Sequence, residues 1–173
     1  SKLKKMGIQI LIGNLCNKNF AKKILNKKNN FNTIIHCAAY TSVLDGANKI
    51  SEKELYENNI LSTISSLEIA KKFRSNYIYI SSSRIYNIKT LNDLKLKFLK
   101  KYIPAKNNEP GLGSLGVKEN FSTLPPVSLY GSSKVISENL IQEYCLLSLL
   151  VRLLSSSLLD LRGLQQCKSQ GWR

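Results

Sequence analysis

The chain has 173 residues, of which 43% are apolar and 21% charged, and a formal net charge of +15 at pH 7. This length and composition are typical of one soluble globular domain, and no segment is apolar enough to be identified as a membrane span. Lysine is spread through polar stretches such as KKILNKKNNFN without interleaved aromatics, so the charge favours solvated faces over a nucleic-acid interface.

The N-terminal part alternates between strand-like and helix-like patterns. The apolar run IQILI (8–12) predicts a buried strand, and KNFAKKILNKK (18–28) predicts an amphipathic helix. The run TIIHCAA (33–39) predicts a second strand that ends in a turn of small residues. His36 is the only histidine and lies inside this strand, so we expect a packed core imidazole.

A long helix and a third strand follow. Residues 51–73 have helical periodicity, with Ser51 as the expected N-cap and Glu54 placed as in a capping box. NYIYISSS (76–83) predicts a strand that ends in three hydroxyls, and residues 132–147 predict another helix. This alternation, with near-continuous apolar strands, indicates an α/β fold with a parallel sheet covered on both faces.

The connection between the third strand and the last helix, residues 84–129, has no clear period except a short helical patch in LNDLKLKFLKK (91–101). So long a connection is uncommon in a compact domain and usually functional. It contains the spacing G-x-G-x-x-G at Gly111, Gly113 and Gly116. That spacing marks a dinucleotide-binding turn only where it follows a strand and opens a helix, so we interpret this copy as a turn-forming loop.

The cysteines and the basic start of the chain suggest a cytoplasmic protein. Cys16, Cys37, Cys145 and Cys167 form no C-x-x-C pair, so we expect no metal site and mostly buried, reduced thiols. The basic start SKLKKM leads into only a short apolar run, unlike a signal peptide. Beyond residue 147 the pattern is lost, although LLVRLL (149–154) is compatible with one more strand.

The strongest chemical pattern is Tyr130 and Lys134, four residues apart at the start of a helix and therefore on one face. A nearby ammonium favours the phenolate and lowers the pKa of a tyrosine. The pair could then take a proton from a substrate hydroxyl while a hydride leaves the same carbon. The spacing recurs at Tyr102 and Lys106, but Pro104 breaks the helix that would align those two side chains.

Small and hydroxylated residues follow the strands at the sheet edge where parallel sheets bind ligands. Ser81, Ser82 and Ser83 could bond a substrate oxygen, or only cap the turn. Ala38 and Ala39 would let a flat ligand approach the backbone, or only allow close packing.

Four segments, in this order, resemble the NAD-dependent epimerase/dehydratase family, the extended short-chain dehydrogenase/reductases. The segments are TIIHCAAYTSV, NNILSTISSLEIAKK, YIYISSSRIY and LYGSSKVISENLIQEY, within residues 7–144. The resemblance implies a Rossmann-like, doubly wound parallel sheet with a tightly held NAD. It also implies a nucleotide-sugar substrate, one carbon of which is oxidised by hydride transfer and then re-reduced from its other face.

The resemblance also implies the roles of individual residues. It assigns the catalytic tyrosine, lysine and Ser/Thr to Tyr130, Lys134 and Ser82, and substrate contacts to Ser83 and Arg84. The implied cofactor contacts are Asn14, Leu15, Ala38, Ala39, Tyr40, Asn59, Ser81, Tyr130 and Lys134. Asn14 stands where the family usually has an acidic residue that contacts the adenine. An amide can still hydrogen-bond to adenine.

The chain departs from the family at both ends. The family opens with a strand, a G-x-x-G-x-x-G turn and a helix that seats the pyrophosphate, and it continues beyond the tyrosine helix into a sugar-binding domain. We therefore interpret the chain as an internal fragment. Residues 1–147 would be a partial NAD-binding domain without its first βαβ unit, and residues 148–173 a divergent or disordered tail. We expect this fragment alone to be catalytically incompetent.

A closer resemblance is to the CDP-paratose 2-epimerases, carried by SSSRIYNIKTLNDL and GVKENFSTLPPVSLYGSSK. A nucleotide-sugar 4-epimerase and a 4,6-dehydratase remain alternatives within the enzyme class. A dehydratase would have an Asp-Glu pair where this chain has Ser83 and Arg84. The alternatives from other classes are a non-catalytic basic binding protein on a Rossmann-like scaffold and a fragment without a role. Family members often dimerise through the helices that contain 58–72 and 132–144, so the full-length protein is expected to form a homodimer.

Overall fold

A three-stranded parallel sheet organises the chain. The computed structural model describes residues 2–28, 30–41, 51–99, 101–105, 109–113, 116–147 and 153–156. Strand β2 (Asn76–Ile80) lies between β1 (Thr33–His36) and the C-terminal strand β7 (Leu153–Ser156), and both pairings are parallel. The predicted second and third strands are confirmed, with shorter ends.

Strand β7 lies beyond residue 147, in the C-terminal part of the chain. The pattern LLVRLL indicated a further strand, and Tyr77 of β2 is in register with Leu153 of β7. The sheet therefore extends beyond residue 147, where the divergent tail was predicted to begin. Residues 157–173 of that predicted tail lie outside the described residues.

Side chains cap two of the N-terminal helices, one of them at the predicted residue. Helix α1 (Lys2–Lys5) is a single turn, and helix α2 (Lys18–Leu25) begins after Asn17, whose side chain accepts bonds from two backbone N–H groups of its first turn. Helix α3 (Glu52–Tyr56) begins at Ser51, and the predicted capping box is present.

The long predicted helix contains one irregular turn. Helix α3 continues directly into a π-helical turn (Glu57–Leu61) and then into α4 (Ser62–Phe73). A π-helical turn accommodates one extra residue, changes which side chains face inward, and is frequent at functional sites. Here Asn59 is the buried residue of that turn.

The main core lies between the sheet and two helices, α4 and α6 (Leu129–Leu147). Ile34 and His36 of β1 share a face with Tyr77 and Tyr79 of β2, because the strands are paired in that register. The buried core residues on this face are Leu67, Ala70, Tyr77, Tyr79 and Ile141.

His36 is a core residue, as the sequence predicts. Its imidazole is 3% exposed and stacks on the rings of Tyr79 and Tyr77, with centroids 5.7 and 6.1 Å away. Its Nε2 atom lies 3.3 Å from the Thr63 hydroxyl. Burial, aided by the charge of Lys134, lowers the pKa of His36 to about 4.

The other face of the sheet does not follow the prediction of two covered faces. Ile35 is 62% exposed there, whereas Ile78 and Ile80 are half-buried. Residues 8–12, predicted as a buried strand, form no strand, and Ile12 is 94% exposed. An extended segment needs a neighbour for its backbone polar groups, and no described strand pairs with these residues.

The connection from residue 84 to 129 is more ordered than predicted. It contains helix α5 (Ile88–Asn92) and two antiparallel hairpins, β3 (Leu96–Leu99) with β4 (Lys101–Pro104) and β5 (Leu112–Gly113) with β6 (Gly116–Val117). The predicted helical patch is therefore helix only up to Asn92, because the alternation that follows favours a strand.

A second, smaller core fixes this connection under α6. Ile85, Tyr86 and Phe121 are buried together, and Val135 of α6 packs against them. Gly111 has a φ of 79° and an added Cβ would overlap the backbone of Phe121. The glycine spacing forms a hairpin turn, as the sequence analysis predicted, and opens no helix; the close approach of Gly111 to Phe121 was not predicted.

Among the described residues, no helix has the length and apolar character needed to cross a membrane.

Because His36 is the only histidine, its burial predicts a distinct pH dependence. Folding favours neutral His36, so stability is complete above pH 6.5 and decreases as the pH falls towards about 4. The free energy of unfolding should fall by about 2 kcal/mol between pH 7.5 and pH 5. Urea unfolding across this range measures it.

The variant His36→Gln is the control for this prediction, since it should lose that pH dependence whatever its absolute stability. Burial raises the pKa of Glu138, which contributes with the opposite sign and is retained in the variant. Equal pH dependence in both proteins would contradict the prediction.

Candidate functional site

A cavity of about 510 Å³ lies at the carboxyl ends of β1 and β2, beside the first turns of α6. Its volume is within the range of small-molecule and cofactor sites. The residues that line it are Cys37, Ala39, Thr41, Ile80, Ser81, Ser82, Ser83, Tyr86, Tyr130 and Lys134.

Half of the predicted site residues meet in this cavity. Those lining it are Ala39, Ser81, Ser82, Ser83, Tyr130 and Lys134. Those outside its lining are Asn14, Leu15, Ala38, Tyr40, Asn59 and Arg84. The sequence analysis did not select Cys37, Thr41, Ile80 or Tyr86.

Tyr130 lies at the start of α6 and is 8% exposed. Burial raises the pKa of its phenol, while the nearby Arg84 charge and the nearby Ser82 hydroxyl lower it. The sequence analysis expected Lys134 to lower this pKa. The balance is different because the phenol is desolvated and the cation that acts on it is Arg84.

A glycine brings this tyrosine against the end of β2. The Gly131 Cα packs so closely on the turn Ser83–Ile85 that an added Cβ would overlap the Arg84 carbonyl oxygen. The Ser82 hydroxyl accepts a hydrogen bond from the Arg84 backbone N–H at 3.2 Å, which holds the same turn. Together these contacts place the hydroxyl and the phenol side by side.

Lys134 is buried, with 3% of its surface exposed, and its Nζ donates to the Ile80 carbonyl oxygen at 2.8 Å. The ammonium lies 4.5 Å from the Tyr79 ring centroid and 5.9 Å from that of Tyr130. Burial lowers the pKa of Lys134, and the charges of Glu138 and Cys37 oppose that shift. Lys134 is therefore fixed to the strand end rather than free in the cavity.

Glu138, one helical turn after Lys134, was not identified from the sequence. Burial raises the pKa of its carboxyl, whereas Ser81 and Lys134 lower it. The Ser81 hydroxyl lies close enough to affect this carboxyl but makes no hydrogen bond of ordinary geometry. A Glu four residues after a Lys on the same helix face was the available sequence signal.

Asn59 is 2% exposed and binds the turn that follows β1. Its Oδ1 accepts from the Tyr40 N–H at 2.6 Å, and its Nδ2 donates to the Tyr40 carbonyl at 3.2 Å. The amide is thus engaged by the protein, so Asn59 shapes this turn instead of lining the cavity.

The segment around Asn14 lies against the π-helical turn. The Asn14 side chain accepts from the Cys16 N–H at 2.8 Å, and the Cys16 thiol contacts the Asn58 carbonyl at 3.5 Å. Leu15 between them is half-buried.

The described cysteines are not mostly buried, contrary to the expectation: Cys16 and Cys145 are half-buried, and Cys37 is exposed in the cavity. Cys37 follows the last residue of β1, so its position at a strand end was the available sequence signal. Within the described part of the chain, no cluster of His, Cys, Asp or Glu could hold a metal ion.

A parallel sheet with a Tyr, a Lys and a Ser gathered at its carboxyl edge is typical of α/β proteins that bind a ligand at the carboxyl ends of their strands. The sequence model of the NAD dependent epimerase/dehydratase family matches residues 1–148. The chain belongs to that family, as the four sequence segments indicated.

Solved structures support the same fold. The chain is similar to the UDP-Glc/GlcNAc 4-epimerase of Campylobacter jejuni, with 18% identity, a TM-score of 0.62 and coverage of 89% of this chain and 40% of that one. It is similar to the Bifidobacterium longum UDP-glucose 4-epimerase, solved with NAD+ and UDP, with 20% identity, a TM-score of 0.61 and coverage of 88% and 39%.

The Bacillus cereus UDP-glucuronic acid 4-epimerase, solved with UDP-glucuronic acid and NAD, gives 19% identity, a TM-score of 0.57 and coverage of 88% and 40%. The chain therefore spans about two fifths of the length of these structures. No curated protein matches it.

The close contact of Gly131 predicts that Gly131→Ala will displace the start of α6 from the turn at Arg84. Overpacking of this kind should lower the free energy of unfolding by about 1–3 kcal/mol. Gly113→Ala is the matched control, because an added Cβ there meets only the flexible end of Lys118 and the Gly116 carbonyl at 3.5 Å. Chemical unfolding of both variants provides the measurement, and equal stability would contradict the contact.

Proposed function

We propose that this chain provides the catalytic edge of an NAD-dependent nucleotide-sugar epimerase. The observation that carries the proposal is that the buried Tyr130 phenol and the Ser82 hydroxyl meet in the cavity where Lys134 is fixed to the Ile80 carbonyl. These three residue types, at the carboxyl edge of a parallel sheet, can hold an alcohol and accept its proton.

Tyr130 is the general base in this proposal. Its phenolate would take the proton of a sugar hydroxyl, and the Ser82 hydroxyl would bond the same substrate oxygen and keep it within reach. The Arg84 charge favours the phenolate and opposes the effect of burial. Lys134 keeps a cation beneath the site without occupying the space of the substrate.

The cavity fits the redox half of NAD. Small and hydroxylated residues (Ala39, Thr41 and Ser81) line it, which leaves room for a flat ring and donors for a ribose. When bound, NAD would accept a hydride from the substrate carbon and later return it. The proposed contacts on this chain are Asn14, Leu15, Ala38, Ala39, Tyr40, Asn59, Ser81, Tyr130 and Lys134, with Asn59 acting through Tyr40.

We propose a CDP-paratose 2-epimerase-like specificity within this family. Ser83 and Arg84 support it, because they place a hydroxyl and a cation next to the general base where a dehydratase would have an Asp-Glu pair. Arg84 is exposed and could pair with an anionic sugar nucleotide. A homodimer and a cytoplasmic location are part of the same proposal.

In a full-length epimerase that contains this chain, Tyr130→Phe should lower turnover at least about 100-fold, because a positioned acid–base group contributes that much. Affinity for NAD, measured by calorimetry, should be retained. The control is Tyr102→Phe, which alters the other Y-x-x-x-K copy, since Tyr102 lies in strand β4.

The substrate arm of the same experiment compares CDP-paratose with UDP-sugars. Turnover of UDP-sugars alone would overturn the proposed specificity and leave the epimerase assignment standing. Full turnover by Tyr130→Phe would overturn the proposed general base.

Arg84 provides a pH prediction. Because its charge lowers the pKa of Tyr130, Arg84→Gln should move the phenol titration to higher pH, and Arg84→Lys should move it less. The difference should shrink in high salt, since Arg84 is exposed. Tyrosinate absorbance, with Tyr130→Phe subtracted, measures the titration. An unchanged or lower midpoint in Arg84→Gln would contradict the role of Arg84.

A further inference from the structure

Ser133 is the point at which the turn after β1 is joined to the tyrosine helix. Its side chain is fully buried, and its hydroxyl accepts a hydrogen bond from the Asn59 Nδ2 at 2.8 Å. The same hydroxyl donates to the Tyr130 carbonyl oxygen at 2.8 Å. With the two bonds from Asn59 to the Tyr40 backbone, a continuous chain of hydrogen bonds runs from Tyr40 to Tyr130.

The Asn59 amide has no spare hydrogen in this chain. One N–H of its Nδ2 is used for the Tyr40 carbonyl and the other for Ser133, while its Oδ1 accepts the Tyr40 N–H. A displacement of the Tyr40 backbone must therefore break a buried hydrogen bond or move Ser133. Breaking a buried bond is the more costly outcome.

Ser133 differs from the other buried hydroxyls on these helices only in its bond with the Asn59 amide, which holds the Tyr40 backbone. A serine or threonine in a helix commonly bonds the carbonyl of the preceding turn, as Ser66 does with Thr63. Thr63 also bonds Ser137 at 3.2 Å, which joins α4 to α6 one turn farther on. That bond reaches neither the turn at Tyr40 nor Tyr130, so Ser137 provides a matched control.

We propose that Ser133 is a positioning residue that couples the turn at Tyr40 to Tyr130. A ligand packed on that turn would then also fix the first turn of α6, and with it the phenol. This inference rests on the proposed function for the identity of the ligand. The chain of hydrogen bonds from Tyr40 to Tyr130 is present without any ligand.

The first test uses the free chain. In Ser133→Ala the Asn59 amide loses one of its anchors, so the Tyr40 amide should exchange with deuterium about tenfold faster, whereas Ser137→Ala should change this rate less than about twofold. NMR hydrogen exchange resolves the Tyr40 amide. If Ser133→Ala does not fold, Ser133→Cys retains the size with a weaker hydrogen bond, and an intermediate rate is expected. An unchanged rate in the folded variant would overturn the link.

The second test uses ADP and a full-length protein that contains this chain. ADP lacks the nicotinamide half that the cavity at Tyr130 would hold, so any effect of ADP on the phenol must pass through the protein. With carbon-13 label at the tyrosine Cζ, ADP should shift the Tyr130 titration in the parent protein and in Ser137→Ala. The shift should be lost in Ser133→Ala while ADP still binds. A shift that persists in Ser133→Ala would overturn the coupling. Absence of any ADP binding would count against the proposed function, and the exchange test would still decide the link.

Discussion

The hydrogen bond from the buried Lys134 ammonium to the Ile80 carbonyl is the interaction on which the site depends. A cation with 3% of its surface exposed needs a polar partner, and here the partner is the last backbone carbonyl of the central strand. That bond ties the second turn of α6 to the carboxyl end of β2. Since Tyr130 is one turn earlier on the same helix, its distance from the strand-end hydroxyls follows from this bond.

Polar contacts complete the packing of α6. Where the π-helical turn and α4 meet α6, the pairs Asn59 with Ser133 and Thr63 with Ser137 add polar contacts to the apolar ones usual between helices. Directional hydrogen bonds select one relative position of two helices more strictly than apolar contacts alone do. The geometry of the candidate site therefore depends on polar groups far from solvent, whereas the sheet is held by apolar contacts.

The sequence was informative where a pattern is local. The pair Tyr130 and Lys134 and the hydroxyls of Ser81–Ser83 could be selected, because helix spacing and strand ends are visible in a single segment. Lys134 bonds a backbone carbonyl, and Gly131 packs against another backbone carbonyl. Because every residue has this group, no residue type in the sequence indicated either contact. The effect of burial on Tyr130 depends on tertiary packing, which explains the different pKa balance. The strand predicted for residues 8–12 was wrong, because an apolar run indicates a strand but does not show whether a neighbouring strand is there to pair with it.

Helix α6 is shared by two cores, and this arrangement has a consequence for cooperativity. Ile141 belongs to the main core on the sheet, while Val135 packs on the smaller core of Ile85, Tyr86 and Phe121. The residues that line the cavity lie between the two. Regions with fewer buried apolar contacts open at lower free energy than the rest of a protein. We therefore expect the smaller core to open at lower free energy than the main core, and the geometry of the candidate site would be lost in that opening before the sheet itself unfolds.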